Sequence, residues 1–243
     1  MIILAIEKGD IIKVSYTGKF GEDQIFDTTD EELAKTNEIY NPRGMYGGDV
    51  VIVGAGHTIA GLDEDFAGKE VGYSGTVIVT PEKGFGDHDP KLVENISLTK
   101  FKDHKAYPGM NVELDNKRGT VVKVIGRRVR VDFNHPLAGK DINYEYSIDE
   151  KIEEPIEKVK GLLALYTGVP DLEVAIEDNK VSIEVPAMLS FNQRWLMAKG
   201  RVASELIEHL GLEKVSYVES YPVQMPEPVV ETATEEEVTE SEE

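Results

Sequence analysis

Cysteine is absent from the 243-residue sequence. That absence excludes disulfides, thiolate nucleophiles and cysteine-ligated metal together, so the fold must rest on packing alone. Long apolar runs are also missing, and none approaches the roughly 20 residues a membrane-spanning helix needs. Positive charge is scarce: 26 basic residues face 46 acidic ones, a formal net charge of -20. Long-range repulsion therefore opposes nucleic acid or an anionic membrane as the main partner. The segment 1–6 is apolar for a few residues only, with neither a basic n-region nor a small-residue cleavage site. It reads as no signal peptide, and the cytoplasm is the expected setting. The five histidines, His57, His88, His104, His135 and His209, show no metal-ligand spacing. No metal and no other cofactor is expected.

What is present divides into units, because the length exceeds the usual single-domain size of about 100–200 residues. Ile12, Val14 and Tyr16 alternate with polar residues as in a half-buried strand. Further strands are expected over 49–54 and 74–80, with a short helix over 59–67 that buries Ile59, Leu62 and Phe66 and stops at Gly68. From 87 to 131 the texture changes to a small β unit. It contains Ile96 and Leu98, then Val112 and Leu114, then strands over 120–126 and 129–133, with a turn expected over 115–119. An alternating strand over 142–148 returns to the first unit, so the β unit reads as an insertion.

After a charged linker at 150–154, Pro155 suits the first turn of a helix with the stripe Ile156, Val159, Leu163 and Tyr166. A hairpin follows, in which a two-residue Asp178-Asn179 turn sets Val174 opposite Ile183 and Ile176 opposite Val181. Ser190 and Gln193 have capping-box spacing for a long helix ending at Gly211, and a strand over 215–221 closes a small antiparallel sheet covered by helices. From Pro222 onward eight glutamates and no basic residue predict disorder.

The notable residues of the first unit stand in order as Val14-Ser15-Tyr16-Thr17-Gly18, Phe26-Asp27-Thr28-Thr29, Val53-Gly54-Ala55-Gly56-His57-Thr58-Ile59-Ala60-Gly61-Leu62 and Pro81-Glu82-Lys83-Gly84-Phe85-Gly86. This series resembles the signature segments of FKBP-type peptidyl-prolyl cis/trans isomerases over residues 7–150. Asn134-His135-Pro136-Leu137-Ala138-Gly139-Lys140 after an insert of this length resembles the SlyD-like, insert-in-flap subgroup, in its long archaeal form with an extra C-terminal domain. The resemblance implies an α+β fold: an FKBP-like antiparallel sheet wrapped on a short helix (1–86 and 132–152), an inserted small β domain (87–131), a separate α+β C-terminal domain (153–222) and a disordered acidic tail (223–243). It implies a pocket lined by Tyr16, Phe26, Asp27, Ile59, Leu62, Phe85 and Tyr144, with substrate also bound at Thr58, Ile96 and Leu98. The implied partners are proline-containing unfolded or partly folded polypeptides, and the implied activity is X-Pro isomerisation with chaperone activity from the insert.

Departures from the family pattern are Phe85, where many relatives have a tyrosine hydroxyl, and Leu62, where the pocket floor is often tryptophan. The glutamate tail replaces the metal-binding tail that SlyD-like relatives can carry. Three features keep two readings each. The excursion 30–48 is a surface bulge or a functional loop. The basic residues Lys117, Arg118, Lys123, Arg127, Arg128 and Arg130 are a solvated face or steer clients. The apolar stripe of the long C-terminal helix (Phe191, Trp195, Ala198, Val202, Leu206, widened by Leu196, Ala203, Ile207 and Leu210) is buried in its own domain or forms a homodimer interface.

Overall fold

A computed structural model describes residues 5–42 and 44–221. The acidic tail expected over 223–243 lies outside the described residues. In chain order the first elements are β1 (Ile11–Phe20), β2 (Gln24–Thr28), α1 (Glu31–Thr36), β3 (Asp49–Ile52), α2 (Ala60–Phe66) and β4 (Ser74–Val79). Four strands follow, β5 (Val93–Ser97), β6 (Asn111–Leu114), β7 (Lys117–Ile125) and β8 (Arg128–Asp132), and then β9 (Ile142–Lys151). The last elements of the described residues are α3 (Pro155–Thr167), β10 (Val174–Glu177), β11 (Lys180–Glu184), α4 (Gln193–Leu210) and β12 (Lys214–Val218).

β1 organises the first sheet. One edge pairs with β9 along almost its whole length, and the other is shared by β3 at Ile11–Val14 and β2 at Thr17–Phe20. β4 adds outside β9, and every pairing is antiparallel. The alternation read from Ile12, Val14 and Tyr16 therefore aims one face at α2, where Leu62 and Phe66 are buried against Val14, Ile142 and Ile148. The excursion 30–48 is not all loop. Asp30 caps α1 by accepting from the Leu33 N–H at 2.9 Å, with Glu31 and Glu32 in the first turn and Lys35 in the last. That cap and charge order is a helix signal that six residues without an apolar stripe leave easy to pass over.

β5 to β8 form their own four-stranded sheet in the order β5-β8-β7-β6, closed over Phe101, Val121, Val129 and Val131. The turn expected over 115–119 is shorter: Asp115 and Asn116 alone take left-handed backbone (φ 51° and 62°), and Leu114 pairs with Lys117. Lys117, Arg118 and Gly119 belong to β7. Leu98 leaves the strand for a 3-10 turn at Leu98–Lys100. Asn134 joins the two connecting segments that enter and leave this sheet, since its side chain accepts from the Asp89 N–H and donates to the Asp89 carbonyl, both at 2.9 Å.

The third sheet is mixed. β10 and β11 pair as expected through Asp178-Asn179, but β12 lies parallel to β11, with Val181 opposite Val215 and Ile183 opposite Tyr217. Parallel neighbours need a long crossover, and α4 supplies it, which is why an all-antiparallel reading fails here. Asn192 rather than Ser190 caps α4, accepting from the Trp195 N–H at 3.2 Å, while Ser190 bonds to Glu219. The α3 stripe is rotated relative to the expected one. Val159, Leu162 and Leu163 are buried, and Ile156 is exposed.

The C-terminal unit is joined to the first sheet by packing. Ile11, Ile52 and Ile152 share one buried cluster with Leu162, Leu163, Val202 and Leu206. β9 runs through the expected linker to Lys151, and the Ile152 N–H donates to the Ile11 carbonyl at 2.9 Å. Gly161 makes this contact close, because a Cβ there would stand 2.6 Å from Val50 Cγ1. At the same seam His57 is buried. Its Nδ1 accepts from the Ile52 N–H at 3.1 Å, so Nε2 carries the proton and donates to Glu205 on α4 at 3.1 Å. Tyr166 (2.8 Å) and Arg201 (2.7 Å) donate to the same carboxylate.

Candidate active site

The shared edge of β1 builds the site. Gly18 pairs with Asp27 on one side and with Tyr144 on the other, while Val14 pairs with Asp49. Register partners share a face, and residues two apart on one strand share it too. Asp49, Tyr16, Asp27 and Tyr144 are thereby collected on one side. Between the two edge strands, Tyr16 exchanges bonds with Thr29, its N–H donating to Oγ1 at 2.9 Å and its carbonyl accepting from the Thr29 N–H at 3.0 Å.

The rings meet edge to face. Phe26 lies 6.0 Å from Tyr144 and 5.7 Å from Phe85, and Tyr16 lies 5.8 Å from Tyr144 (centroid distances). Such T-shaped pairs suit the ring quadrupoles and hold each ring by its neighbours. Gly18 permits the approach, since a Cβ there would come 2.7 Å from Phe26 Cζ and 3.0 Å from Tyr144 Cε1. Buried Leu62 lies beneath, with Ile59 packed beside it. Ile59 is also the N-cap residue of α2, with no side-chain capping bond. Asp63 of α2 holds the preceding loop, accepting from the N–H groups of Gly54 (2.8 Å) and Gly56 (3.1 Å). The neighbouring Thr58 hydroxyl is buried and has no hydrogen-bond partner among the described residues.

A model for the FKBP-type peptidyl-prolyl cis-trans isomerase family matches residues 4–102. The short-type peptidyl-prolyl cis-trans isomerase of Methanocaldococcus jannaschii is 38% identical over 149 residues, which is 60% of this chain and 94% of that relative. The chain belongs to the FKBP-type peptidyl-prolyl cis-trans isomerases.

Two further models match the isomerase, one for the FKBP26 IF domain at residues 96–137 and one for the FKBP26 C-terminal region at residues 155–222. The SlyD isomerase of Aeromonas hydrophila is 30% identical over 105 residues, covering 42% of this chain and 50% of that protein. A probable FKBP-type 16 kDa isomerase of Pseudomonas fluorescens is 32% identical over 101 residues, 40% of this chain and 67% of that protein. The isomerase is thus of the SlyD-like, long archaeal type expected from its motifs, with the α+β fold, the inserted β unit and a C-terminal unit.

Of the residues expected to bind substrate in the isomerase, Tyr16, Phe26, Asp27, Ile59, Leu62, Phe85, Tyr144 and the adjoining Thr58 come together. Ile96 and Leu98 do not. They are half-buried against the core of the four-stranded sheet. Two neighbours of the aromatic group escaped sequence reasoning. His135 stacks on Phe85, with centroids 4.7 Å apart and ring planes 1° from parallel. Asp49 accepts from the Tyr16 hydroxyl at 3.1 Å, closer than Asp27 at 3.4 Å. A lone aspartate at a strand start carries no such signal, because only the pairing of β1 with β3 delivers it.

One hydroxyl proton thus faces two carboxylates. Desolvation raises the pKa of both, the Tyr16 hydrogen bond opposes this, and at Asp49 the charge of Asp27 adds to the rise. Desolvation and both carboxylates push the Tyr16 phenol far up, so it stays a donor. Carboxyls raised in the fold contribute stability that is complete below the ordinary carboxylate range and lost as pH climbs through the raised values. Asp49→Asn keeps an acceptor for Tyr16 and removes that charge. Relative to wild type, its melting temperature will be higher at about pH 7 than at about pH 4, and an equal offset at both would show that the pair is not strained by charge.

No helix among the described residues is long and apolar enough to cross a membrane.

Proposed function

We propose that the ring cluster binds the proline of a client and favours the twisted X-Pro amide over the planar one. An X-Pro bond rotates without any bond being broken, and the barrier of about 18–20 kcal/mol comes from amide resonance. The twisted amide has lost that resonance and is less polar, so an apolar site that excludes water binds it preferentially. The observation that carries this reading is the convergence of Tyr16, Phe26, Phe85 and Tyr144 in edge-to-face contact above Leu62. In it Tyr16, Phe26, Ile59, Leu62 and Tyr144 hold the proline ring, and Phe85, steadied by His135, forms the rim. Asp27 orients polar groups around the bound amide, and the backbone at Thr58 and Ile59 meets the peptide. No group here has to transfer a proton or electron. A protease-free assay on a proline tetrapeptide tests the reading: wild type will accelerate exchange, and a protein that suppresses aggregation without accelerating it would be a binding chaperone only.

The same proposal divides the chain at the boundaries given above and assigns chaperone activity in the cytoplasm to the inserted β sheet. Ile96 and Leu98 then support the sheet that receives extended apolar client segments at its edge. The clients are unfolded or partly folded polypeptides. A homodimer through the C-terminal unit is favoured by one observation. Phe191, the first residue of the apolar stripe, is 89% exposed, and Met188 and Met197, close to it in sequence, are 74% and 79% exposed. Large apolar side chains as fully exposed as these favour a surface that a partner covers. Phe191→Asp will sediment as a monomer at micromolar concentration where wild type sediments as a dimer, and a monomeric wild type ends the dimer reading.

A further inference from the structure

A cavity of about 560 Å³ opens from the aromatic cluster toward the C-terminal unit. Phe26 and Asp27 belong to both the cluster and the cavity wall. From there the wall continues over Met45 and Tyr46 of the excursion 30–48, and its far side is Leu165 of α3 and Arg194 in the first turn of α4. The volume lies in the range of roughly 300–1,000 Å³ that holds drug-sized ligands. A second cavity, of about 690 Å³, adjoins the cluster at His135, which stacks on Phe85, and is lined by Phe133, Asn134, His135 and Pro136 together with residues of β6 and β7. A polypeptide bound through an X-Pro bond must leave the cluster in two directions. The structure offers it two openings, one at the Phe85–His135 stack and one at Phe26–Asp27.

We propose that the opening at Phe26–Asp27 is a client subsite, in which the segment flanking the bound X-Pro bond lies between the excursion 30–48 and the C-terminal unit. It selects apolar residues followed by an acidic one. The inference rests on the reading of the cluster as the proline site and adds to it a specificity that no tetrapeptide would feel. Apolar selection comes from Ile39, Met45 and Leu165, which are half-buried and keep apolar surface turned to the cavity. Charge selection comes from the asymmetry of the walls. Asp27 and Asp49 stand at the proline end, and Arg194 is the basic residue of the far end. Arg194 is exposed and makes no ion pair among the described residues, so its guanidinium is open to a carboxylate arriving along the cleft. A basic client residue at that depth would meet the guanidinium instead. The excursion 30–48 thereby acquires a role, and the C-terminal unit supplies one wall of the substrate path.

The test uses the full chain and two sets of proline-containing octapeptides, with glutamate or lysine placed in turn at each position on either side of the X-Pro bond. Isomerisation kinetics and fluorescence titration of the labelled peptides are measured in parallel. Glutamate will be preferred over lysine by about fivefold at some position on one side only, the scale of an exposed ion pair. Arg194→Glu will reverse that preference, and Arg194→Ala will abolish it. Circular dichroism on both variants shows whether they fold, and if Arg194→Glu does not, the alanine variant carries the test. Indifference of wild type to charge at every position, or a preference unchanged in the variants, overturns the proposal and leaves the cleft to another occupant. Wild-type turnover of a tetrapeptide tests the proline site separately. If turnover is absent while the titrated preference follows residue 194, the catalytic reading falls and the client subsite stands.

Discussion

Phe26→Ala will lower kcat/KM for a proline tetrapeptide by about 100-fold, or about 2.7 kcal/mol at 1.36 kcal/mol per tenfold. The ring touches Phe20, Phe85 and Tyr144 at centroid distances of 6.1, 5.7 and 6.0 Å, so its removal empties the middle of the cluster. Truncating a packed phenylalanine costs roughly 3–5 kcal/mol in protein cores. Here the ring is half-buried and part of that cost falls on the free enzyme. Phe26→Leu retains apolar contact and will lose about tenfold, separating loss of the apolar wall from loss of the ring geometry. The protease-free assay reads both variants. A Phe26→Ala enzyme within threefold of wild type would place the proline site elsewhere.

Glu205→Leu will cost several kcal/mol of stability, seen as a melting temperature lower by about 10 °C at a few degrees per kcal/mol for a chain of this size. The carboxylate is the common acceptor for His57, Tyr166 and Arg201. Removing it strands the buried Nε2–H of His57 and the Tyr166 hydroxyl, each at about 1–3 kcal/mol for an unsatisfied buried donor. The sign of the pH dependence follows from the same bonds. Burial opposes the Glu205 charge, but Arg201, Tyr166 and His57 together outweigh it and hold the carboxyl below its ordinary range. Its contribution is therefore present above the ordinary carboxylate pKa and lost as pH falls through the depressed value. The gap between wild type and variant will narrow in acid, and a gap constant with pH would mean that the carboxylate is not what holds the seam. Because His57 immediately precedes Thr58 and Ile59, the variant will also raise KM for peptides.

The ring cluster was legible because its members lie in short segments that stand in order along the chain. Tyr16, Phe26, Ile59 and Phe85 each stand in a recognisable motif. The hairpin at Asp178-Asn179 was legible because a two-residue turn fixes register locally. What stayed hidden depended on contacts distant in the chain. Asp49 joins the site only through β3, and His57, one of five histidines without metal-ligand spacing, finds its partner 148 residues away. Parallel β11 and β12 look like any two alternating segments until α4 is seen to cross between them. Phe191 shows the limit of periodicity, since it lies before the first turn of α4 and the helical stripe does not extend to it.

β9 is flanked by β1 and β4, both of which precede the four-stranded sheet in the chain, whereas every strand of that sheet lies within residues 93–132. During synthesis at roughly 5–20 residues per second, the smaller sheet therefore leaves the ribosome whole while its host still waits about one to four seconds for a complete middle strand. Tyr144 arrives on that strand. The nascent chain thus holds a finished insert and an open half-sheet bearing Tyr16 and Phe26, and the enzyme's own ring cluster is among the last parts of its first 151 residues to close.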